Sequence, residues 1–269
     1  MTPQHSEFIS VIWHYYQEHK RHFLWRIHHE PYYVLISEVM LQQTQTHRVI
    51  YKFEEFITRF NSFETLAHAP LKDVLLTWQG LGYNRRALYL HKTAQTIVND
   101  YNGILPNSPE ILAQLPGVGK ATAASICAFA YNQPTVFIET NIRTVFIYFF
   151  FKDCSEIKDS EIIPLVKQTV DRNNPREWYY ALMDYGVMLK KNMPNPNRKS
   201  AHYAKQSKFE GSDRQIRGMI LKIITDQFAI SFDQLCIQID REPKRIKKAL
   251  NELEQERFIC CKNNLYAIP

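Results

Sequence analysis

Cysteine is scarce in this chain, long apolar runs are missing, and alternating strand-like patterns are few until the last dozen residues. The five cysteines, Cys127, Cys154, Cys236, Cys260 and Cys261, are odd in number and show no paired C-x-x-C spacing. A disulfide framework and a zinc site are therefore not indicated, and reduced thiols in a cytoplasmic chain are expected. No stretch approaches the roughly 18 apolar residues of a membrane span. The opening MTPQHSEFISVIWHYYQEHKRHF carries polar and charged residues throughout, so neither an export leader nor a membrane anchor is expected.

What is present is a globular composition. With 269 residues and 45% hydrophobic content, the chain is long enough for two or three compact units. The formal net charge of +6 is compatible with a polyanionic partner without singling out nucleic acid. Its location is more informative, because between Lys190 and Arg217 eight basic residues face only two acids, Glu210 and Asp213. Such a block is a solvated linker or a footprint on phosphate, and the long acid-free run favours the second.

Most of the chain reads as short helices separated by Pro, Gly or Asn, which predicts a mainly α protein with a small β tail. Pro70 precedes the helix of Leu71 to Leu76, and Ser108-Pro109-Glu110 supplies a cap, a first-turn proline and a first-turn acid. The run from Asn192 to Asn197, with three asparagines and two prolines, is expected to deny regular structure. Beyond it, helices are expected over Arg214 to Thr225, near Ser231 to Ile237, and from Pro243 to about Glu256. A closing hairpin has Phe258-Ile259-Cys260-Cys261 and Leu265-Tyr266-Ala267-Ile268 around Lys262-Asn263-Asn264. Three helices and a two-stranded wing resemble a winged helix over residues 212–269. Its third helix and the approach to it carry Arg241, Lys244, Arg245, Lys247 and Lys248, which suit a recognition helix on DNA or the solvated face of a dimerisation or regulatory module.

Leu115-Pro116-Gly117-Val118-Gly119-Lys120 joins two helical stretches, the second beginning Ala121-Thr122-Ala123-Ala124-Ser125-Ile126. Gly117 and Gly119 let the backbone turn sharply and approach another surface, and the helix that follows opens with unsatisfied N–H groups. That geometry binds phosphate without reading sequence. The string L-P-G-V-G-K-x-T-A, which includes Lys120 and Thr122, resembles the hairpin of the helix-hairpin-helix base-excision glycosylases. The resemblance implies a two-lobed helical domain over residues 1–205, with a central lobe at about 24–132 and a second lobe from 1–23 plus 133–205, and a lesion pocket in the cleft between lobes.

The stretch from Pro31 to Gln45 contains S-E-V-M-L-Q-Q-T-Q, which resembles the signature of adenine DNA glycosylases of the MutY type. Glu38 stands there among apolar residues on a helix, where desolvation raises a carboxyl pKa and keeps the group able to deliver a proton. Breaking a purine glycosidic bond requires neutralising the departing base while an oxocarbenium-like sugar gains positive charge. Two carboxyl groups divide these tasks, as in glycoside hydrolysis.

By resemblance the second carboxylate falls within Phe137 to Arg143, at Glu139, where the family has aspartate. Asn141 matches the family's asparagine, and Thr140 replaces a glycine. Gly80-Leu81-Gly82-Tyr83 resembles the family's G-L-G-Y, which implies a Tyr83 hydroxyl near the carboxylates; Asn84 replaces a frequent tyrosine. Gln42 and Gln43 match glutamines that approach or wedge into the stack where the base leaves. Trp25 and Arg26 resemble the P-W-R entrance segment, with Leu24 for proline. Relatives that also cut the strand carry a lysine where this chain has Ala121, so a glycosylase without lyase activity is expected.

Met183 to Leu189 resembles the helix leading into a four-cysteine cluster, but Lys190 replaces the first cysteine and no quartet follows. No iron-sulfur cluster, no other cofactor and no metal is expected. The family's Nudix-like domain, which checks for 8-oxoguanine, has no counterpart in the tail pattern. The expected function is hydrolysis of a flipped base from a mismatched or damaged duplex by a monomer, adenine opposite 8-oxoguanine or guanine. Thymine or uracil removal from mismatches remains the alternative within the class, and a non-catalytic DNA-binding protein the alternative outside it.

Overall fold

The computed structural model describes residues 2–205 and 208–269; Met1, Gln206 and Ser207 lie outside the described residues. In chain order the first helices are α1 (Pro3–His19), α2 (Leu24–Ile27), α3 (Pro31–Leu41), α4 (Thr46–Arg59), α5 (Phe63–His68), α6 (Leu71–Trp78), α7 (Arg85–Tyr101) and α8 (Pro109–Leu112). They are followed by α9 (Lys120–Tyr131), α10 (Thr140–Phe150), α11 (Asp159–Thr169), α12 (Pro175–Asn192), α13 (Asp213–Gln227), α14 (Phe232–Ile239) and α15 (Pro243–Gln255). Three short strands, β1 (Ala229–Ser231), β2 (Cys260–Lys262) and β3 (Leu265–Ala267), complete the chain. The fold is mainly α, as expected. No helix among the described residues is long and apolar enough to cross a membrane.

Local chemistry sets many of the boundaries. Ser108 accepts from the Ile111 amide with Pro109 in the first turn of α8, and Ser212 caps α13 by accepting from Gln215. Asn102 and Asn132 end α7 and α9 in left-handed conformation, both at φ 52°, a geometry that asparagine tolerates better than most residues.

The chain divides into two compact units. The first comprises the described residues within Met1–Glu38, Pro106–Gln114 and Val118–Lys205. Its core is aromatic: Phe8 of α1 lies 5.2 Å from Phe146 of α10 and 5.8 Å, edge-on, from Trp178 of α12. All three rings are fully buried, and such pairs add directional preference to area burial. Phe129 of α9 stacks on Tyr180 of α12 at 4.6 Å.

The segment after α12 is tied down by backbone bonds. Ile157 donates to the Lys199 carbonyl, and Ala201 donates to the Ile157 carbonyl. Here one expectation is corrected, because Pro196–Lys199 forms a 3-10 turn instead of irregular chain. The Asn195 side chain accepts from the Asn197 amide, so the asparagine that discourages a helix interior starts this turn.

The second unit comprises the described residues within Val39–Leu105, Leu115–Gly117 and Gln206–Pro269. α5 and α6 pack on α7, and α13 packs on both α15 and α6. Phe53, Phe56 and Trp78 are fully buried at its centre, with Phe56 edge-on to Trp78 at 6.0 Å. The terminal hairpin is also corrected. Asn263 and Asn264, at φ 50° and 61°, form a two-residue turn, and Lys262 pairs with Leu265. Two successive positive φ values match a hairpin turn that follows the strand twist. The sheet has three strands in the order β1-β3-β2. β1 is too short to show alternation in sequence; only its pairing with β3 makes it a strand.

Candidate active site

In the first unit Glu38, near the end of α3, meets the small-residue helix α9. Ser125 Oγ is 2.5 Å from Glu38 Oε2 and 3.0 Å from the Thr122 carbonyl. The residue is half-buried, with its carboxyl set among protein atoms and Oε2 against Ser125. Burial pushes its pKa up from the usual 4.5 to about 7; the Ser125 hydrogen bond opposes this and the neighbouring Glu139 charge adds to it. A carboxyl so placed retains its proton near neutrality.

Glu139 caps α10. Its Oε1 accepts from the amides of Asn141 (2.8 Å) and Ile142 (3.0 Å), and its Oε2 accepts from Asn141 Nδ2 at 3.1 Å. The longer glutamate arm is thus fixed by three donors at the positive end of a helix. Thr140, where the family pattern has glycine, is the first residue of the helix and not at positive φ, so no glycine is required.

Gly186 explains the tight packing behind the cap. A Cβ there would lie 2.6 Å from the Asn141 carbonyl oxygen, so glycine lets α12 run against the start of α10. On the same helix Asp184 accepts from Arg26 at 2.7 and 2.8 Å and from Arg21 Nε at 2.6 Å. The Arg26 guanidinium also lies 4.4 Å from the centre of the Tyr180 ring. Burial, and secondarily the Glu38 charge, pushes the Tyr180 phenol upward.

The sequence-predicted residues divide accordingly. Glu38, Glu139 and Asn141 are brought together. Arg26 and Trp25 are both buried, Arg26 in its ion pair with Asp184 and Trp25 stacked on Phe23 at 4.7 Å. The P-W-R-like string is a packing element here, because the guanidinium meets an enclosed aspartate instead of solvent. In the hairpin, Gly119 caps α9, Gly119 and Lys120 are exposed, and Thr122 is half-buried in its first turn. The first amides of α9 are the donors such a helix offers to phosphate.

Within the second unit, Gly117 takes φ 74° and a Cβ on it would come within 2.8 Å of Tyr89. Gln42 and Gln43 form the turn after α3, with Gln43 exposed at φ 51°. Tyr83 also has positive φ, 48°, is 36% exposed, and its hydroxyl accepts from Arg214 at 2.8 Å.

Arg86, which sequence reasoning passed over, holds both of these loops. Its Nη1 donates to the carbonyls of Val39, Met40 and Gln42 at 2.7 to 2.8 Å, and its Nη2 donates to Thr44 and to the Gly82 carbonyl at 2.9 and 3.1 Å. Burial lowers its pKa to about 10, with Tyr83 opposing. The available signal was the Arg85-Arg86 pair one residue beyond G-L-G-Y. On the C-terminal module, Arg245 and Lys248 pair with Asp213, Arg241 with Glu210, and Lys247 donates to Tyr266, while Lys244 is exposed.

Residues 36–163 match the HhH-GPD superfamily base excision DNA repair protein family. Over 187 residues, 68% of its length, the chain is 36% identical to an adenine DNA glycosylase of Buchnera aphidicola subsp. Baizongia pistaciae (strain Bp), of which it covers 52%. It is 26% identical over 185 residues to a thymine/uracil-DNA glycosylase of Methanothermobacter thermautotrophicus, of which it covers 84%. The solved structure of a thermostable thymine-DNA glycosylase superposes on 72% of the chain and 90% of its own, with TM-score 0.65 at 24% identity. The chain thus spans about half the length of the adenine-specific relative.

Two outcomes follow from the geometry. Arg86→Met leaves the carbonyls ending α3 without their charged donor and is expected to cost about 2–3 kcal/mol in urea unfolding, with Arg86→Lys recovering only part; an unchanged stability contradicts the clamp. Glu38 is raised from 4.5 to about 7 in the fold, so the stability from burying it neutral is complete below about pH 4.5 and is lost as pH rises to about 7. The melting temperature of Glu38→Gln relative to the unaltered protein is therefore expected to climb across that window, by the equivalent of up to about 3 kcal/mol. A flat difference contradicts the enclosed carboxyl.

Proposed function

We propose that the protein is a DNA N-glycosylase that hydrolyses the bond between a flipped base and its sugar and leaves an abasic site. The observation that carries this reading is the enclosed Glu38 carboxyl beside the helix-capping Glu139. In the proposed step the proton on Glu38 moves to a ring nitrogen of the departing base. The electron pair of the glycosidic bond leaves with that base, and water adds to the sugar carbon through its oxygen while one of its protons returns to the Glu38 carboxylate. The Glu139 carboxylate, fixed by three N–H donors, offsets the positive charge that develops on the sugar. Ala121 offers no amine for a Schiff base, which supports hydrolysis without strand cleavage.

The substrate proposed is double-stranded DNA with adenine opposite 8-oxoguanine or guanine, bound by a monomer. Motif strings around Glu38 and the identity to the adenine-specific relative support it. Thymine or uracil removal is the second reading, favoured by one observation: the chain covers 84% of the thymine/uracil-specific relative. In both readings Gln42 and Gln43 approach the stack, the Gly117 to Thr122 hairpin takes a phosphate, and the C-terminal helices and sheet act as a winged-helix-like module.

The proposal includes work without an iron-sulfur cluster. The residues do not suit one: Cys127 is buried in α9, Cys154 follows α10, Cys236 lies in α14, and Cys260 and Cys261 are neighbours in β2. Among the described residues no three His, Cys, Asp or Glu side chains gather as a metal site.

Single-turnover cleavage of duplexes carrying A opposite 8-oxoguanine, A opposite G, T opposite G and U opposite G, followed by alkali, tests the reading. Abasic product is expected with the first two fastest, and Glu38→Gln is expected to be slower by about 10²- to 10⁴-fold. No product on any duplex, or a fully active Glu38→Gln, contradicts it; strand breakage without alkali contradicts the hydrolytic part.

A further inference from the structure

Among the described residues, Ser125 holds Glu38 by one carboxyl oxygen, Oε2. Its Oγ has two acceptors in reach, Glu38 Oε2 at 2.5 Å and the Thr122 carbonyl at 3.0 Å. A serine hydroxyl carries a single hydrogen, so it serves one acceptor fully at a time. The Ser125 bond occupies Oε2, and Oε1 is not one of the fully enclosed unpartnered atoms among the described residues, which leaves it as the oxygen from which a proton departs. The surroundings do little for a negative charge at this point. Glu139 faces Glu38 from the start of α10, Tyr180 faces it from α12 with its phenol kept protonated, and Arg26, over Tyr180, is committed to Asp184.

We propose that Ser125 is a positioning residue that captures the carboxylate Glu38 leaves behind when it has given up its proton. The inference rests on reading Glu38 as the proton donor. While Glu38 is neutral, the hydroxyl is shared with the Thr122 carbonyl. As the O–H bond at Oε1 breaks and the N–H bond on the base forms, negative charge grows over both carboxyl oxygens and the hydroxyl turns onto Oε2. Ser125 keeps its own proton throughout. Its hydrogen bond is strongest after transfer, because a charged acceptor holds a donor more tightly than a neutral one, and an interaction that strengthens along the reaction lowers the barrier.

The nearby helix shows why the hydroxyl is available. After Lys120, α9 continues with small side chains, Ala121, Thr122, Ala123 and Ala124, and Ser125 is itself almost fully buried at 4% exposure. A buried hydroxyl aimed at a carboxyl in such a helix is a specific addition to an otherwise apolar surface.

Removing the hydroxyl has a signature that loss of packing does not share. Ser125→Ala leaves burial and the Glu139 charge, both of which disfavour the carboxylate, so Glu38 becomes a weaker acid. Single-turnover cleavage of the A opposite 8-oxoguanine duplex, or of whichever panel duplex is cut fastest, is measured from about pH 5 to about pH 9. Ser125→Ala is expected to lower the plateau by about 3- to 10-fold while moving the alkaline limb upward by about one pH unit. Ser125→Cys, with its weaker donor, is expected to fall between. An alkaline limb that stays in place or moves down in Ser125→Ala overturns the inference, including the case where the rate falls equally in both variants without a shift. Full activity in Glu38→Gln overturns the proton-donor reading beneath it. An inactive Glu38→Gln alongside a Ser125→Ala indistinguishable from the unaltered protein overturns the role of Ser125 alone.

Discussion

A carboxyl group taken out of water loses the solvent that stabilises its charge, and in the first unit Glu38 and Glu139 meet that loss with very different sets of partners. Glu38 sits under α9 with a single hydroxyl on one oxygen, and burial outweighs that hydrogen bond. Glu139 reaches back to the start of α10 and accepts from two amides and one side-chain amide. Two side chains of the same type are thereby given different electrostatic tasks by their surroundings, a separation that acid-base chemistry on a single site requires.

Much of the packing around them serves that separation. Gly186 allows α12 to press on the first turn of α10 at a distance no Cβ would permit. The Arg26 to Asp184 pair lies on the same helix and holds Arg26 over the Tyr180 ring, which stacks in turn on Phe129 of α9. A buried ion pair of this kind is weak evidence for stability in itself. Its effect here is to commit the guanidinium over Tyr180 to Asp184, and among the described residues no cation acts on the Glu38 carboxyl. In the second unit Arg86 follows the same logic with backbone acceptors, gathering the carbonyls at the end of α3 and the Gly82 turn around one charge.

The parts of the site legible in sequence are those whose chemistry is written in contiguous strings. Glu38 among apolar neighbours, the glycine hairpin and the Glu139 to Asn141 cap each place donor and acceptor within a few residues. The parts that were not legible depend on partners far along the chain: Ser125 is 87 residues from Glu38, and Arg86 is 47 from Val39. Ser125 reads in sequence as one more small residue on a helix face, and Arg86 as one of two surface arginines. Trp25 and Arg26 show the converse, since a string that resembles an entrance segment is buried once Asp184 is brought beside it. The fold was more accessible than the site. Caps and prolines marked the helix starts, whereas β1 and the 3-10 turn at Pro196–Lys199 arise only from pairing and from a side-chain cap.

The central claim is that the Glu38 carboxyl is held neutral near physiological pH. Carboxyl-carbon NMR of protein labelled with ¹³C at glutamate, with Glu38→Gln used to assign the resonance, reads that group directly. The account predicts a titration midpoint near about 7; a midpoint at the usual 4.5 would contradict it.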